Sequence, residues 1–132
     1  MYSIGVDIVE VERIAQAVER WGERFLRRVY TEGEISYCGQ RMSSLAARWA
    51  AKEAVSKALG TGWAPQQEHD AGWIDWTEIE VTRQNSGQPV VLLHGKARAR
   101  AEALGITGWQ LSISHTREHA VAMVLGWRIL AP

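Results

Sequence analysis

The stretch from Leu45 to Leu59 constrains the fold more than any other part of the chain. Alanine, lysine, glutamate, arginine and leucine dominate it, and these residues lose least on entering a helix. Gly60 follows, the residue that best tolerates the left-handed turn after a helix. Projected at about 100° per residue, Ala47, Ala50, Ala51, Ala54, Val55 and Ala58 share one arc. Side chains that small let a helix approach a sheet closely, so the segment predicts a long central helix with a sheet against it. The other arc mixes Arg48, Lys52, Glu53, Ser56 and Lys57 with Leu45, Trp49 and Leu59. That is too much apolar bulk for a solvated face, and it predicts a second contact there.

The flanking segments supply the sheet. Ile4, Val6 and Ile8 alternate with Ser3, Gly5 and Asp7, which predicts a half-buried strand with Asp7 on its non-core face. From Val11 the period becomes helical through Val11, Ile14, Ala15, Val18 and Trp21, ending near Gly22, and a short helix is expected after Thr31. Residues 60–73 have no period and read as a long loop, a length that is often functional. Ile79 and Val81 alternate with Glu78, Glu80 and Thr82, and Ser86-Gly87-Gln88-Pro89 turns the chain back into Val90 to Leu93 as a hairpin. Lys96 to Leu104 is a short alanine-rich helix closed by Gly105. The last two strands run from Trp109 to Ser114 and from Ala120 to Gly126. Strands and helices do not alternate regularly. The expected class is therefore α+β, one compact domain over residues 1–132 with an antiparallel sheet packed on a long central helix.

Composition narrows the function classes. At 132 residues, 46% hydrophobic and 23% charged, the chain is a globular single domain. Fifteen basic and fifteen acidic side chains cancel, which argues against a polycation that coats nucleic acid. The single cysteine, Cys38, cannot form an internal bridge and favours a reducing compartment. The first residues lack the basic start and apolar core of a signal peptide, and no window approaches the ~20 apolar residues of a membrane span. The expectation is a soluble cytoplasmic protein with no membrane and no nucleic-acid partner. Seven tryptophans are many for this length and suit a partner surface, a ligand wall or a Trp-rich core.

Three constellations could carry chemistry: Gly5-Val6-Asp7-Ile8-Val9-Glu10, the run Trp49 to Gly62, and Ser112-Ile113-Ser114-His115-Thr116. Asp7 and Glu53 are hard oxygen ligands of the kind Mg²⁺ takes, one or two carboxylates completed by water and substrate phosphate. Lys57, one turn beyond Glu53, is placed to bind a phosphate beside such a metal. Gly60-Thr61-Gly62 leaves room for a ligand at backbone amides, and His115 opens a turn where its ring can reach a phosphate oxygen. Each feature also has a plain explanation. Glu53 and Lys57 form an ordinary i, i+4 pair, Asp7 a solvent-facing strand residue, Gly60 a helix stop, His115 a turn histidine. His69, His94, His119 and Cys38 show no zinc spacing, and Ser112 and Ser114 lack the elbow of a hydrolase nucleophile.

In this order and at these separations, the motifs resemble those of the small holo-acyl-carrier-protein synthases, the short group of 4'-phosphopantetheinyl transferases. Gly5 to Glu10 is similar to the family's N-terminal motif. Arg48-Trp49-Ala50-Ala51-Lys52-Glu53-Ala54 with Lys57-Ala58-Leu59-Gly60-Thr61-Gly62 is similar to its central motif, and Ser112 to Thr116 with Ala120-Val121-Ala122 to its closing hairpin. Trp49 stands where the family usually has Phe, and the loop after Gly62 is unusually rich in Gln and Trp. The resemblance implies a Mg²⁺-dependent transfer of the 4'-phosphopantetheine arm of coenzyme A to a serine of acyl carrier protein, releasing adenosine 3',5'-bisphosphate, in fatty acid biosynthesis. It implies Asp7 and Glu53 as metal ligands and Glu53 and Lys57 as catalytic residues. Coenzyme A contacts would come from Lys57, Gly60, Thr61, Gly62, His115 and Thr116. It also implies a homotrimer with sites between neighbours.

Between Arg13 and Arg28 stand five arginines and two glutamates, an excess of three positive charges in a neutral chain. Arg13, Arg20, Arg24 and Arg28 with Phe25 would suit an acidic partner helix such as that of an acyl carrier protein. A solvated face is the plain alternative. Two other classes stay open at this point: a nucleotide or nucleic-acid binding module stacking bases on Trp63 or Trp73, and a structural trimeric adaptor indifferent to Lys57.

Overall fold

The computed structural model describes residues 2–60 and 74–129. The long loop expected over 60–73 falls, Gly60 apart, outside the described residues. In chain order the elements are β1 (Tyr2–Glu10), α1 (Val11–Trp21), α2 (Glu23–Val29), α3 (Glu32–Cys38), α4 (Met42–Ala58), a single 3₁₀ turn (Trp76–Glu78), β2 (Ile79–Arg83), β3 (Pro89–Leu93), α5 (Gly95–Leu104), β4 (Gly108–His115) and β5 (His119–Trp127). The α+β class is as expected. The antiparallel sheet is, however, two sheets: β1-β5-β4 and the β2-β3 hairpin. One helix, α2, had no forecast from periodicity. Gly22 closes α1 by donating to the Val18 carbonyl at 2.8 Å, and its own carbonyl accepts from Phe25 and Leu26, so the same residue starts α2.

Helix α4 is the hub. Ala46, Ala50, Ala51, Ala54 and Val55 are fully buried, and the inner side of β5, Ala120, Ala122 and Val124, is equally enclosed. Small residues face small residues, and the helix lies close on the sheet. Gly5 shows how close: a Cβ there would stand 1.8 Å from the Ala54 carbonyl oxygen. Any side chain at position 5 would lift β1 off the helix.

That contact reverses the face expected for β1. Ser3, Gly5, Asp7 and Val9 point at α4, with the Ser3 hydroxyl donating to the Ala58 carbonyl. Ile4, Val6 and Ile8 point away and are 65%, 53% and 65% exposed. Asp7 therefore sits on the helix side, not the solvent side. Alternation fixes that a strand has two faces, and it is the partner's shape that decides which one is inside.

The other arc of α4 meets α3 and the second sheet. Lys52 is fully buried, and its ammonium donates to Glu34 Oε1 at 2.7 Å, to the Trp76 carbonyl at 3.1 Å and to the Ile79 carbonyl. Glu34 Oε2 accepts from the Val81 amide at 3.0 Å, while Oε1 also accepts from the Thr31 amide in a capping box. Burial pushes the Lys52 pKa down, and the Glu34 carboxylate opposes that shift. Removing one member of such a pair leaves the other buried without its counter-charge. Lys52→Met is therefore expected to cost about 3–5 kcal/mol of stability, read as a lowered midpoint in chemical denaturation. An unchanged midpoint would mean that Glu34 finds its compensation elsewhere.

Candidate active site

Two segments bring three of the expected residues together. Because β1 turns Asp7 toward α4, its Oδ1 stands 3.0 Å from Lys57 Nζ, which also donates to the Val6 carbonyl at 3.0 Å. Glu53, one helical turn earlier, is half-buried beside them. The expected i, i+4 pair is replaced, since the ammonium of Lys57 goes to Asp7 across the strand–helix interface. The Glu53 carboxyl is pushed up to about 6, first by burial and then by the Asp7 carboxylate, with Lys57 opposing. Two carboxylates crowded enough to repel one another are a hard, anionic donor set of the kind that a small divalent cation relieves. The residues present fit Mg²⁺.

Gly60 closes α4 with φ 71°, a backbone conformation that suits glycine, and its amide donates to the Lys57 carbonyl at 3.0 Å. The guanidinium of Arg100, on α5, donates to the Leu59 carbonyl at 3.1 Å beside it. Thr61 and Gly62 lie outside the described residues, as do Trp63, His69 and Trp73.

His115 is elsewhere. It ends β4, on the far side of β5 from Asp7, and lines a cleft of about 260 Å³ with Ser44, Arg48, Arg83, Leu111 and Ser112. Arg48 is 2% exposed, and its Nε, buried among the described residues, has no hydrogen-bond partner. A guanidinium N–H withheld from water without an acceptor is costly, and an oxyanion in the cleft would supply one. Thr116 next to it is occupied in the β4–β5 turn, where its hydroxyl accepts from the Glu118 and His119 amides at 3.2 and 3.1 Å. The two half-sites leave α4 in different directions. Glu53 and Lys57 follow Arg48 by five and nine residues, which places them about 140° and 180° around the helix from it.

The sequence profile of the 4'-phosphopantetheinyl transferase superfamily matches residues 3–124. A holo-[acyl-carrier-protein] synthase of Herpetosiphon aurantiacus is 51% identical over 126 residues, covering 96% of this chain and 98% of that protein. The chain belongs to the holo-[acyl-carrier-protein] synthase family. Solved structures agree. That of the Helicobacter pylori synthase in complex with coenzyme A superposes with a TM-score of 0.80 at 31% identity, covering 94% of this chain and 99% of that one. The Neisseria meningitidis synthase gives 0.81 at 29% identity, covering 96% and 98%. The chain is thus a phosphopantetheinyl transferase with the expected α+β fold.

In this transferase the basic helices present Arg13, Arg20, Arg24 and Arg28 to solvent. Arg27 is engaged by Glu23 at 3.2 Å and Glu32 at 3.7 Å, so it adds little to the patch. Phe25 is half-buried. Its ring stacks on Trp49 at 6.1 Å, which stacks on Trp76 at 4.2 Å, so the exposed aromatic of the patch is Trp21 with Arg20 over its ring. Sequence reasoning missed Arg83 altogether and placed Arg48 on the second arc of α4 and in the central motif without giving it a ligand role. A signal was present for Arg48, an arginine flanked by Ala46, Ala47, Ala50 and Ala51 in a helix otherwise built to be buried. Nothing in the sequence marks Arg83, which reaches the cleft only through the hairpin's packing.

Proposed function

We propose that the transferase moves the 4'-phosphopantetheine arm of coenzyme A to a serine of apo acyl carrier protein, with Mg²⁺, in fatty acid biosynthesis in the cytoplasm. The observation that carries this reading is the convergence of Asp7, Glu53 and Lys57 at the β1–α4 contact. Asp7 and Glu53 would hold the metal. Mg²⁺ bound there supplies charge neutralisation and orientation of the pyrophosphate. Lys57 offers a movable cation to the phosphate and to the departing adenosine 3',5'-bisphosphate. The serine oxygen attacks the phosphorus that carries the pantetheine arm, the pyrophosphate P–O bond breaks, and the serine proton is taken up by a nearby base. Glu53, beside the same phosphate, is the group offered for that proton, directly or through a water. The cleft at Arg48 and His115 suits the other charged end of coenzyme A, the ribose phosphate monoester, whose dianion would satisfy the buried Nε.

One chain does not bring these two ends together, because they lie on different sides of α4. The outward face of the β1-β5-β4 sheet carries Tyr2, Ile4, Val6, Ile8, Met123 and Leu125, all exposed and adjacent in the β1–β5 register. An apolar face of that kind on a small domain calls for cover. A homotrimer packed through this face, each site built from the Asp7 side of one copy and the His115 side of its neighbour, accounts for both features.

The direct test incubates the chain with apo acyl carrier protein, coenzyme A and Mg²⁺ and weighs the carrier. A mass gain of one phosphopantetheine, lost in EDTA, supports the proposal, and no gain overturns it. Carrier docking has its own test. Reversing Arg13 and Arg24 to Glu is expected to raise the KM for carrier about tenfold and to flatten its salt dependence, leaving coenzyme A kinetics alone. Kinetics at two ionic strengths check this, and an unaltered carrier KM moves the docking surface off α1 and α2.

A further inference from the structure

Three arginines, Arg41 and Arg48 from the start of α4 and Arg83 from the end of β2, converge on one tyrosine. Tyr37, on α3, is 44% exposed. The guanidinium carbon of Arg48 lies 4.4 Å from its ring centre, that of Arg41 at 4.9 Å and that of Arg83 at 5.3 Å. These distances keep the three cations within about 10 Å of one another, too close for physiological salt to screen fully. Among the described residues, none of the three pairs with a carboxylate. Arg41 donates to the backbone carbonyls of Cys38 and Tyr37, and Arg83 to that of Gly87. Arg48 and Arg83 line the His115 cleft, and the Arg48 Nε is the buried donor without an acceptor. Cations gathered without counter-charge beside an orphaned donor mark the place of an anion.

We propose that Tyr37 is a positioning residue for coenzyme A: its ring face holds the guanidiniums of Arg48, Arg83 and Arg41 as a pre-formed clamp for the ribose phosphate monoester. The inference rests on the reading of the cleft as the seat of that phosphate. Cation–π contact is what a ring can give a guanidinium without neutralising it. A carboxylate in the same place would quench the charge that the ligand needs. The tyrosine hydroxyl has no partner among the described residues, so the ring face is the operative part. Holding three flexible side chains in one fan before the substrate arrives lowers the ordering cost of binding. The effect belongs in KM, because the ribose phosphate is remote from the reacting phosphorus and takes no new charge in the transition state.

The experiment compares coenzyme A with dephospho-coenzyme A, which lacks only that monoester, in wild type, Tyr37→Leu and Tyr37→Phe. The expected result is a KM for coenzyme A raised about tenfold in Tyr37→Leu, with kcat, carrier KM and the dephospho-coenzyme A KM within twofold of wild type. Tyr37→Phe, which keeps the ring, restores the wild-type KM. Should Tyr37→Leu fold poorly, Arg83→Gln at the exposed hairpin tests the same clamp and must selectively weaken coenzyme A in the same way. Wild type that prefers coenzyme A, with a folded Tyr37→Leu that keeps the full preference, overturns the role of Tyr37 alone. Equal loss on both substrates overturns it too, as a structural effect. Wild type that does not distinguish the two substrates removes the ribose-phosphate seat, and the clamp with it.

Discussion

Asp7→Ala and Glu53→Ala are each expected to lower transfer by at least about 10³-fold while leaving a folded protein. Both carboxylates sit where β1 meets α4, and neither has a substitute within reach among the described residues. With Mg²⁺ bound as proposed, removing either would leave one carboxylate to hold the ion and a pyrophosphate whose charge is only partly met. The two variants should differ in metal-free stability. The Glu53 pKa is raised on folding from 4.5 to about 6, so its ionised form opposes folding. Below pH 4.5 that opposition is absent, and it sets in as pH climbs through 6. In EDTA at pH 7.5, Glu53→Ala should therefore melt at or above the wild-type temperature, whereas Asp7→Ala forfeits the ion pair with Lys57 and should not gain. Calorimetry in EDTA, then with Mg²⁺ and coenzyme A, separates these effects. Near-normal turnover by either variant at saturating coenzyme A and ordinary Mg²⁺ would remove the metal assignment.

Local chemistry made most of the secondary structure readable. The alanine-rich run predicts α4 to within a turn of its observed ends, and the turn residues around Gly87 predict the β2–β3 hairpin. What stayed hidden depended on which surfaces meet. Ile4, Val6 and Ile8 read as a core face because apolar residues normally point inward, yet Gly5 and the alanines of α4 fit only with the opposite face inside. The partner of Lys57 was hidden for the same reason. Spacing along a helix offers Glu53, and only the reversed strand offers Asp7. Lys52 and Glu34, far apart in sequence, give no local sign that they pair in the interior. The three motifs were legible as pieces of one family's site, but nothing in their order shows that His115 opens away from Asp7 within a single chain.

That separation leads to a result that a site contained in one chain could not give. Assayed at coenzyme A far below the raised KM of Arg48→Ala, where that variant fails to bind substrate and Asp7→Ala fails in the transfer itself, the two are expected to recover activity when co-expressed in one cell. In the proposed trimer, mixing the two creates junctions where an intact Asp7–Glu53–Lys57 cluster, from the Arg48→Ala copy, faces an intact Arg48–His115 cleft from the Asp7→Ala copy. Random mixing in equal amounts makes about a quarter of the junctions intact, and transfer should return to about that fraction of wild type. A site confined to one chain predicts none, since every copy carries a lesion. The same experiment tests the interface, because recovery needs the apolar sheet face. Placing Val6→Arg in both copies puts a cation at the centre of the exposed Ile4, Ile8 and Met123 surface, where a packed neighbour would bury it unpaired. It should yield monomers by light scattering and abolish the recovery. A trimer that tolerates Val6→Arg, with recovery intact, would place the subunit contact on another face. Failure to recover in a proven mixed trimer would return the whole site to one chain, with the Arg48 cleft left to some other anion.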